Sequence, residues 1–132
     1  MAVIDASVLV NALADGGDDG REARAALRSH DTLAAPDLLD VETMSGLRKR
    51  WGRGRLTVEA FESAIGDLRL MPITRLPSID LLPRAFELRD TVSAYDAMYV
   101  ALAEGLGQPL VTADQKLASA PGPRCSFEVL GQ

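Results

Sequence analysis

Apolar residues along this chain fall into two patterns: short unbroken runs, and longer stretches in which they recur at spacings of three and four. Ala2-Val3-Ile4 is the first short run, and it ends on an acid, Asp5. Pro109-Leu110-Val111-Thr112-Ala113-Asp114 has the same form. Runs of this length bounded by polar or turn residues read as buried strands. Thr32-Leu33-Ala34-Ala35, Leu70 to Thr74 and Phe127-Glu128-Val129-Leu130 read the same way. Between them the periodicity predicts helices over Ala6 to Ala14, Arg21 to Ser29, and from Pro36-Asp37 to about Trp51, where Gly52 and Gly54 end the pattern. A Thr57 cap opens a helix carrying Val58, Phe61, Ile65 and Leu68, and a further helix follows Pro77-Ser78 with Leu81, Leu82, Ala85 and Leu88. Ser93 caps another, and a short one begins at Gln115. Asp15-Gly16-Gly17-Asp18-Asp19-Gly20 reads as a polar loop.

Strands alternating with helices imply an α/β domain, with a mostly parallel sheet and helices on both faces. With 132 residues the chain is one domain, 1–132. Ala97 to Ala103 is apolar on all sides, so that helix is expected to be central and buried. The Val58 to Leu68 stripe reads as core or interface. Leu38, Met44, Leu47, Phe61 and Ile65 are expected to offer a groove for an amphipathic partner segment.

Composition narrows the chemistry. A single cysteine, Cys125, and a single histidine, His30, exclude a disulfide framework, a thiolate zinc cage and a histidine metal site. A metal site in this chain would be made of carboxylates, and oxygen ligands suit Mg²⁺ or Mn²⁺. The first strand begins at residue 2 and no apolar run approaches a membrane span, so a cytoplasmic protein is expected. A net charge of −5 argues against a broad nucleic-acid footprint but not a local one. Arg48, Lys49, Arg50, Arg53 and Arg55 form a basic run that either solvates a helix end or holds phosphates near a metal centre.

Asp5, Glu42, Asp96 and Asp114 are the candidate site. In open parallel sheets, ligands bind beyond the carboxyl ends of the strands, so acids at two strand ends can converge in one cleft. Each aspartate also has a capping explanation: Asp5 and Asp114 could cap the helices that follow them, and Asp96 completes a capping-box pattern with Ser93. Glu42 is different, because Asp37 takes the cap position and Asp40 the first turn, leaving Glu42 deeper in its helix beside the small residues Ser45 and Gly46.

The motifs then acquire a joint meaning. Val3-Ile4-Asp5-Ala6-Ser7, Pro36-Asp37-Leu38-Leu39-Asp40-Val41-Glu42, the run from Ser93 to Ala103, and Thr112-Ala113-Asp114-Gln115-Lys116-Leu117 resemble, in order and spacing, the four motifs of the PIN-domain ribonucleases. Within these the chain is similar to the VapC-type toxins of bacterial type II toxin–antitoxin pairs. The resemblance implies a three-layer sandwich with four or five mostly parallel strands, and an Mg²⁺- or Mn²⁺-dependent endoribonuclease acting on structured RNA, tRNA or rRNA. It makes Asp5, Glu42, Asp96 and Asp114 the metal ligands and catalytic residues. Ser7 and Thr112 become hydroxyls touching the metal or its ligands. It also implies a cognate antitoxin and a homodimer, or a heterotetramer or larger assembly with that antitoxin. The rival reading is a catalytically silent PIN-like module that binds RNA or protein. A phosphoacceptor domain is a weaker rival, since only one acid follows the first strand where that chemistry wants an adjacent pair.

Overall fold

The computed structural model describes residues 1–131. Five strands form one sheet: β1 (Ala2–Ile4), β2 (Leu33–Pro36), β3 (Ile73–Leu76), β4 (Leu110–Thr112) and β5 (Phe127–Val129). The order is β3-β2-β1-β4-β5 and every neighbouring pair is parallel. The chain therefore builds outward from β1 through β2 to β3, then crosses back to lay β4 on the other side of β1. Right-handed crossovers running in opposite directions place their helices on opposite faces of the sheet, giving the PIN-like α/β sandwich. They also open a crevice between β1 and β4, at the strands' carboxyl ends.

On the outward path lie α1 (Ala6–Ala14), α2 (Asp18–Arg28), α3 (Leu39–Gly52) and α4 (Val58–Leu70). On the return path lie a 3-10 turn (Ser78–Leu81), α5 (Leu82–Glu87) and α6 (Ala94–Leu106), and α7 (Gln115–Ser119) joins β4 to β5. As expected from its unbroken apolar sequence, α6 is the central helix: every residue from Ala97 to Ala103 is buried. Ser93 caps it by accepting from the Asp96 amide, and Gly107, at φ 64°, ends it in the left-handed conformation that a side chain would penalise. β1 is buried throughout and joins the main core with α1, α6 and β4. A smaller cluster of Val10, Leu47 and Ala64, flanked by Leu56, Phe61 and Ile65, ties α1 to the α3–α4 pair.

Four expectations change. The loop at residues 15–20 is shorter than its glycines suggest, because α2 already begins at Asp18. Gly20 lies inside that helix, where a Cβ would come within 1.8 Å of the Asp15 carbonyl oxygen. β3 runs from Ile73 to Leu76, not Leu70 to Thr74, because α4 continues to Leu70 and Pro72 forces extended backbone on Met71. Arg75 on that strand donates to the Asp40 carboxylate and to the carbonyls of Leu68, Met71 and Ile73, fastening the end of α4 to the sheet edge.

The remaining two changes concern α3. Its cap position is Leu38 with no side-chain cap, while Asp37 accepts instead from the Ser78 amide and hydroxyl. Glu42 consequently stands in the first turn of α3 rather than deeper. Leu47, expected to line a groove, is fully buried against Val10 and Ala64, so it is core. The apolar cleft between α3 and α4 lies further along, lined by Val41, Met44, Ile65 and Leu68, with a volume of about 530 Å³.

Candidate functional site

Adjacency of β1 and β4 decides the geometry of the first acid. Register pairs Ile4 with Val111, and the Asp5 amide donates to the Val111 carbonyl at 3.2 Å, so Asp5 and Thr112 leave the sheet side by side. The Thr112 hydroxyl donates to Asp5 Oδ2, and the Ser7 hydroxyl donates to Oδ1. The same two hydroxyls also accept: Ser7 Oγ from the Ala113 amide at the end of β4 at 3.1 Å, and Thr112 Oγ1 from the Asp114 amide two residues on at 3.0 Å. Ser7 and Thr112 thus hold the Asp5 carboxylate and pin the β4–α7 turn to the start of α1. Asp5 also accepts from the Val8 amide at 3.4 Å, so it caps α1 while serving the cleft.

Asp5 is only 5 % exposed, and burial, outweighing these hydrogen bonds, pushes its carboxyl up to about 6. Glu42 and Asp96 are half-buried and their carboxyls are likewise raised, chiefly by burial and then by a neighbouring acid: Asp96 acts on Glu42, and Asp114 on Asp96. Asp96 also raises Asp5. Asp96, on α6, is therefore an electrostatic neighbour of each of the other three, which come from the end of β1, from α3 and from the turn after β4. Asp114 spends Oδ1 on the Lys116 and Leu117 amides at the start of α7.

Tyr99 is a participant that the sequence reading missed. It lies one turn along α6 from Asp96, is 1 % exposed, and its hydroxyl donates to Glu42 Oε1 at 2.6 Å. Burial first, then the hydrogen bond and the charges of Glu42, Asp5 and Asp96, raise its phenol well above its ordinary value, so it remains a donor. Its i, i+3 spacing from Asp96 was the available signal.

Three residues of the basic run, Lys49, Arg50 and Arg53, share a cleft with Glu42. One cleft of about 640 Å³ is bordered by Ser7, Glu42, Lys49, Arg50, Arg53 and Tyr95. Gly46 lets α3 approach α1 there, since a Cβ would fall 2.5 Å from Val10 Cγ2. Among the described residues, no three His, Cys, Asp or Glu side chains stand together as a ready metal cage. The donors are nonetheless of the right kind: all carboxylates, three with proton affinities raised by burial and by a neighbouring acid, the situation that a hard divalent cation relieves.

Comparison with known proteins places this architecture. Residues 2–123 match the PIN domain family. The chain belongs to that family, in its VapC-type branch. It is 41 % identical over 130 residues to ribonuclease VapC9 of Mycobacterium tuberculosis, covering 98 % of each chain. Ribonuclease VapC3 of the same organism is 40 % identical over 118 residues, covering 89 % of this chain and 85 % of that one. Among solved structures, VapC20 of Mycobacterium tuberculosis, a toxin cleaving the sarcin–ricin loop, superposes with a TM-score of 0.70 at 17 % identity over 90 % of this chain and 94 % of that one. A toxin–antitoxin complex from Klebsiella pneumoniae gives 0.64 at 22 % identity, over 90 % and 91 %. These structural likenesses show a shared fold. No helix among the described residues is long and apolar enough to cross a membrane.

Proposed function

We propose that this chain is an Mg²⁺- or Mn²⁺-dependent endoribonuclease toxin that hydrolyses a phosphodiester bond of a structured RNA and is neutralised by a cognate antitoxin. What supports this reading is the electrostatic coupling of Asp96 to Asp5, Glu42 and Asp114, four acids from four separate parts of the fold. The ribonuclease names of VapC9 and VapC3 support the substrate class.

In this reading the four acids are the metal ligands and catalytic residues, with Ser7, Thr112 and Tyr99 positioning them. A divalent ion there supplies charge neutralisation for the phosphate and activation of water. The chain's own contribution is positioning. Ser7 and Thr112 fix Asp5 from two sides, and Tyr99 fixes Glu42 across the α3–α6 interface. Hydrolysis adds water across one P–O bond: the water oxygen joins phosphorus and the leaving ribose oxygen takes a proton. The chain carries its single histidine away from this cleft, paired with Glu128, so no imidazole serves as acid or base. Carboxylates and ordered water carry the proton traffic.

For the antitoxin, the cleft lined by Val41, Met44 and Ile65 suits an amphipathic segment; Val41 is 73 % exposed, a large value for a valine. A homodimer, or a heterotetramer or larger assembly with the antitoxin, belongs to the same reading.

The test is cleavage of a pool of structured cellular RNAs by antitoxin-free protein in Mn²⁺ or EDTA, beside Asp96→Asn prepared identically. Metal-dependent cutting absent from the variant is expected. RNA binding with no cutting by the parent under saturating Mn²⁺ would replace this reading with that of a silent binding module.

A further inference from the structure

Tyr95 precedes Asp96, is 64 % exposed and lines the cleft that Glu42 borders. It borders the same cleft as Lys49 and Arg53. Arg50, between them in sequence, is occupied: its guanidinium donates to Asn11 Oδ1 at 2.5 Å and pairs with Asp15. Among the described residues, Lys49 and Arg53 form no ion pair with any carboxylate. Both are exposed at the C-terminal end of α3, one turn apart. The cleft thus presents an exposed ring, Glu42 and two cations without a carboxylate partner.

That combination is the chemistry of a single-stranded polynucleotide path. Bases splayed from a strand stack on exposed aromatic rings, while cations track the phosphates. We infer that Tyr95 stacks a nucleobase next to the reacting phosphate, and that Lys49 and Arg53 hold the backbone phosphates that follow. The inference rests on the chain acting on RNA, and it names the segment of RNA that enters the site. A duplex holds its bases stacked inward and leaves Tyr95 without a partner.

The test is fluorescence anisotropy with a fluorescein-labelled, mixed-sequence single strand of about 12 nucleotides, within the span that such surfaces engage, and with the same sequence as a duplex. The Asp96→Asn background keeps the probe uncut. Tyr95→Ala is expected to weaken single-strand binding about tenfold, Tyr95→Phe to bind like the parent, and the duplex to be insensitive to both. Lys49→Gln with Arg53→Gln is expected to flatten the slope of log affinity against log salt by about 1.4, the loss of two single-strand phosphate contacts. Arg28→Gln, an exposed cation on α2, is the control and leaves that slope unchanged. Equal binding by Tyr95→Ala, failure of Tyr95→Phe to match the parent, or an unchanged slope in the double variant overturns the path. Cleavage by the wild-type chain is scored separately. Binding that follows the expected pattern without any cleavage removes the nuclease reading and keeps the path, and cleavage with indifferent variants does the reverse.

Discussion

Replacing Asp5 with asparagine is expected to stabilise the metal-free protein at neutral pH. Asp5 is 5 % exposed and its carboxyl titrates at about 6 in the fold, against an ordinary value of 3.8. A folded value above the unfolded one means that the fold favours the protonated acid. Below about pH 4 the acid is neutral in both states and carries no penalty. As pH rises from 4 through 6, that relative stability is lost, and above 6 the loss is complete. A gap of roughly two pH units corresponds to a penalty of about 3 kcal/mol, an order-of-magnitude figure. Asparagine is never charged and escapes it, but the amide replaces an acceptor that Thr112 uses, returning about 1 kcal/mol. The net gain is about 2 kcal/mol, or roughly 5–10 °C in melting temperature for a domain of this size. Thermal denaturation in EDTA from pH 4 to 8 measures it. The variant should melt slightly below the parent at pH 4, by the ~1 kcal/mol of the lost acceptor, and above it once the pH passes about 6. A variant less stable than the parent at pH 7.5, or a gap that does not change with pH, would refute the argument that burial dominates the three hydrogen bonds. Adding Mg²⁺ should then close the gap, because only the parent gains a counter-charge.

Three further outcomes are expected. Tyr99→Phe should fold normally yet bind Mn²⁺ roughly 10–100-fold more weakly by calorimetry, because Glu42 loses the donor that orients it. Gly20→Ala should cost more than the ~1 kcal/mol by which alanine ordinarily favours a helix, since its Cβ meets the Asp15 carbonyl; urea denaturation would show the sign. Leu47→Ala should destabilise by about 2–5 kcal/mol, as a fully buried leucine does, whereas Met44→Ala, at 44 % exposure, should leave stability nearly unchanged and weaken antitoxin capture.

The acids at strand ends were legible because a buried strand must be a short apolar run, and an acid closing such a run stands at the strand's carboxyl end even where, like Asp5 and Asp114, it also caps the helix that follows. The α6 segment was legible for a related reason: only a central helix can be apolar on every side. Glu42 was identified on a mistaken premise. Its helix starts one residue later than an Asp37 cap suggests, and what distinguishes it is the Tyr99 hydroxyl, 57 residues away in sequence, which no local pattern encodes. β3 was displaced because Leu70-Met71 suits the end of an amphipathic helix as well as a strand, and because Arg75, charged yet fully engaged by Asp40 and three carbonyls, disguises a strand interior. The basic run was visible, but its proximity to the acids depends on α1 and α3 meeting closely at Gly46, a tertiary fact.

The chain order of the cleft has a temporal side. β4 enters the sheet beside β1 only after more than a hundred residues have been made, and it brings Thr112 and Asp114 with it. A nascent chain that has completed α6 already holds Asp5, Glu42 and Asp96, but Asp5 still lacks one of its two hydroxyl clamps and the strand that shelters it. Whatever the cleft does is therefore withheld until β4 has been made and has paired with β1.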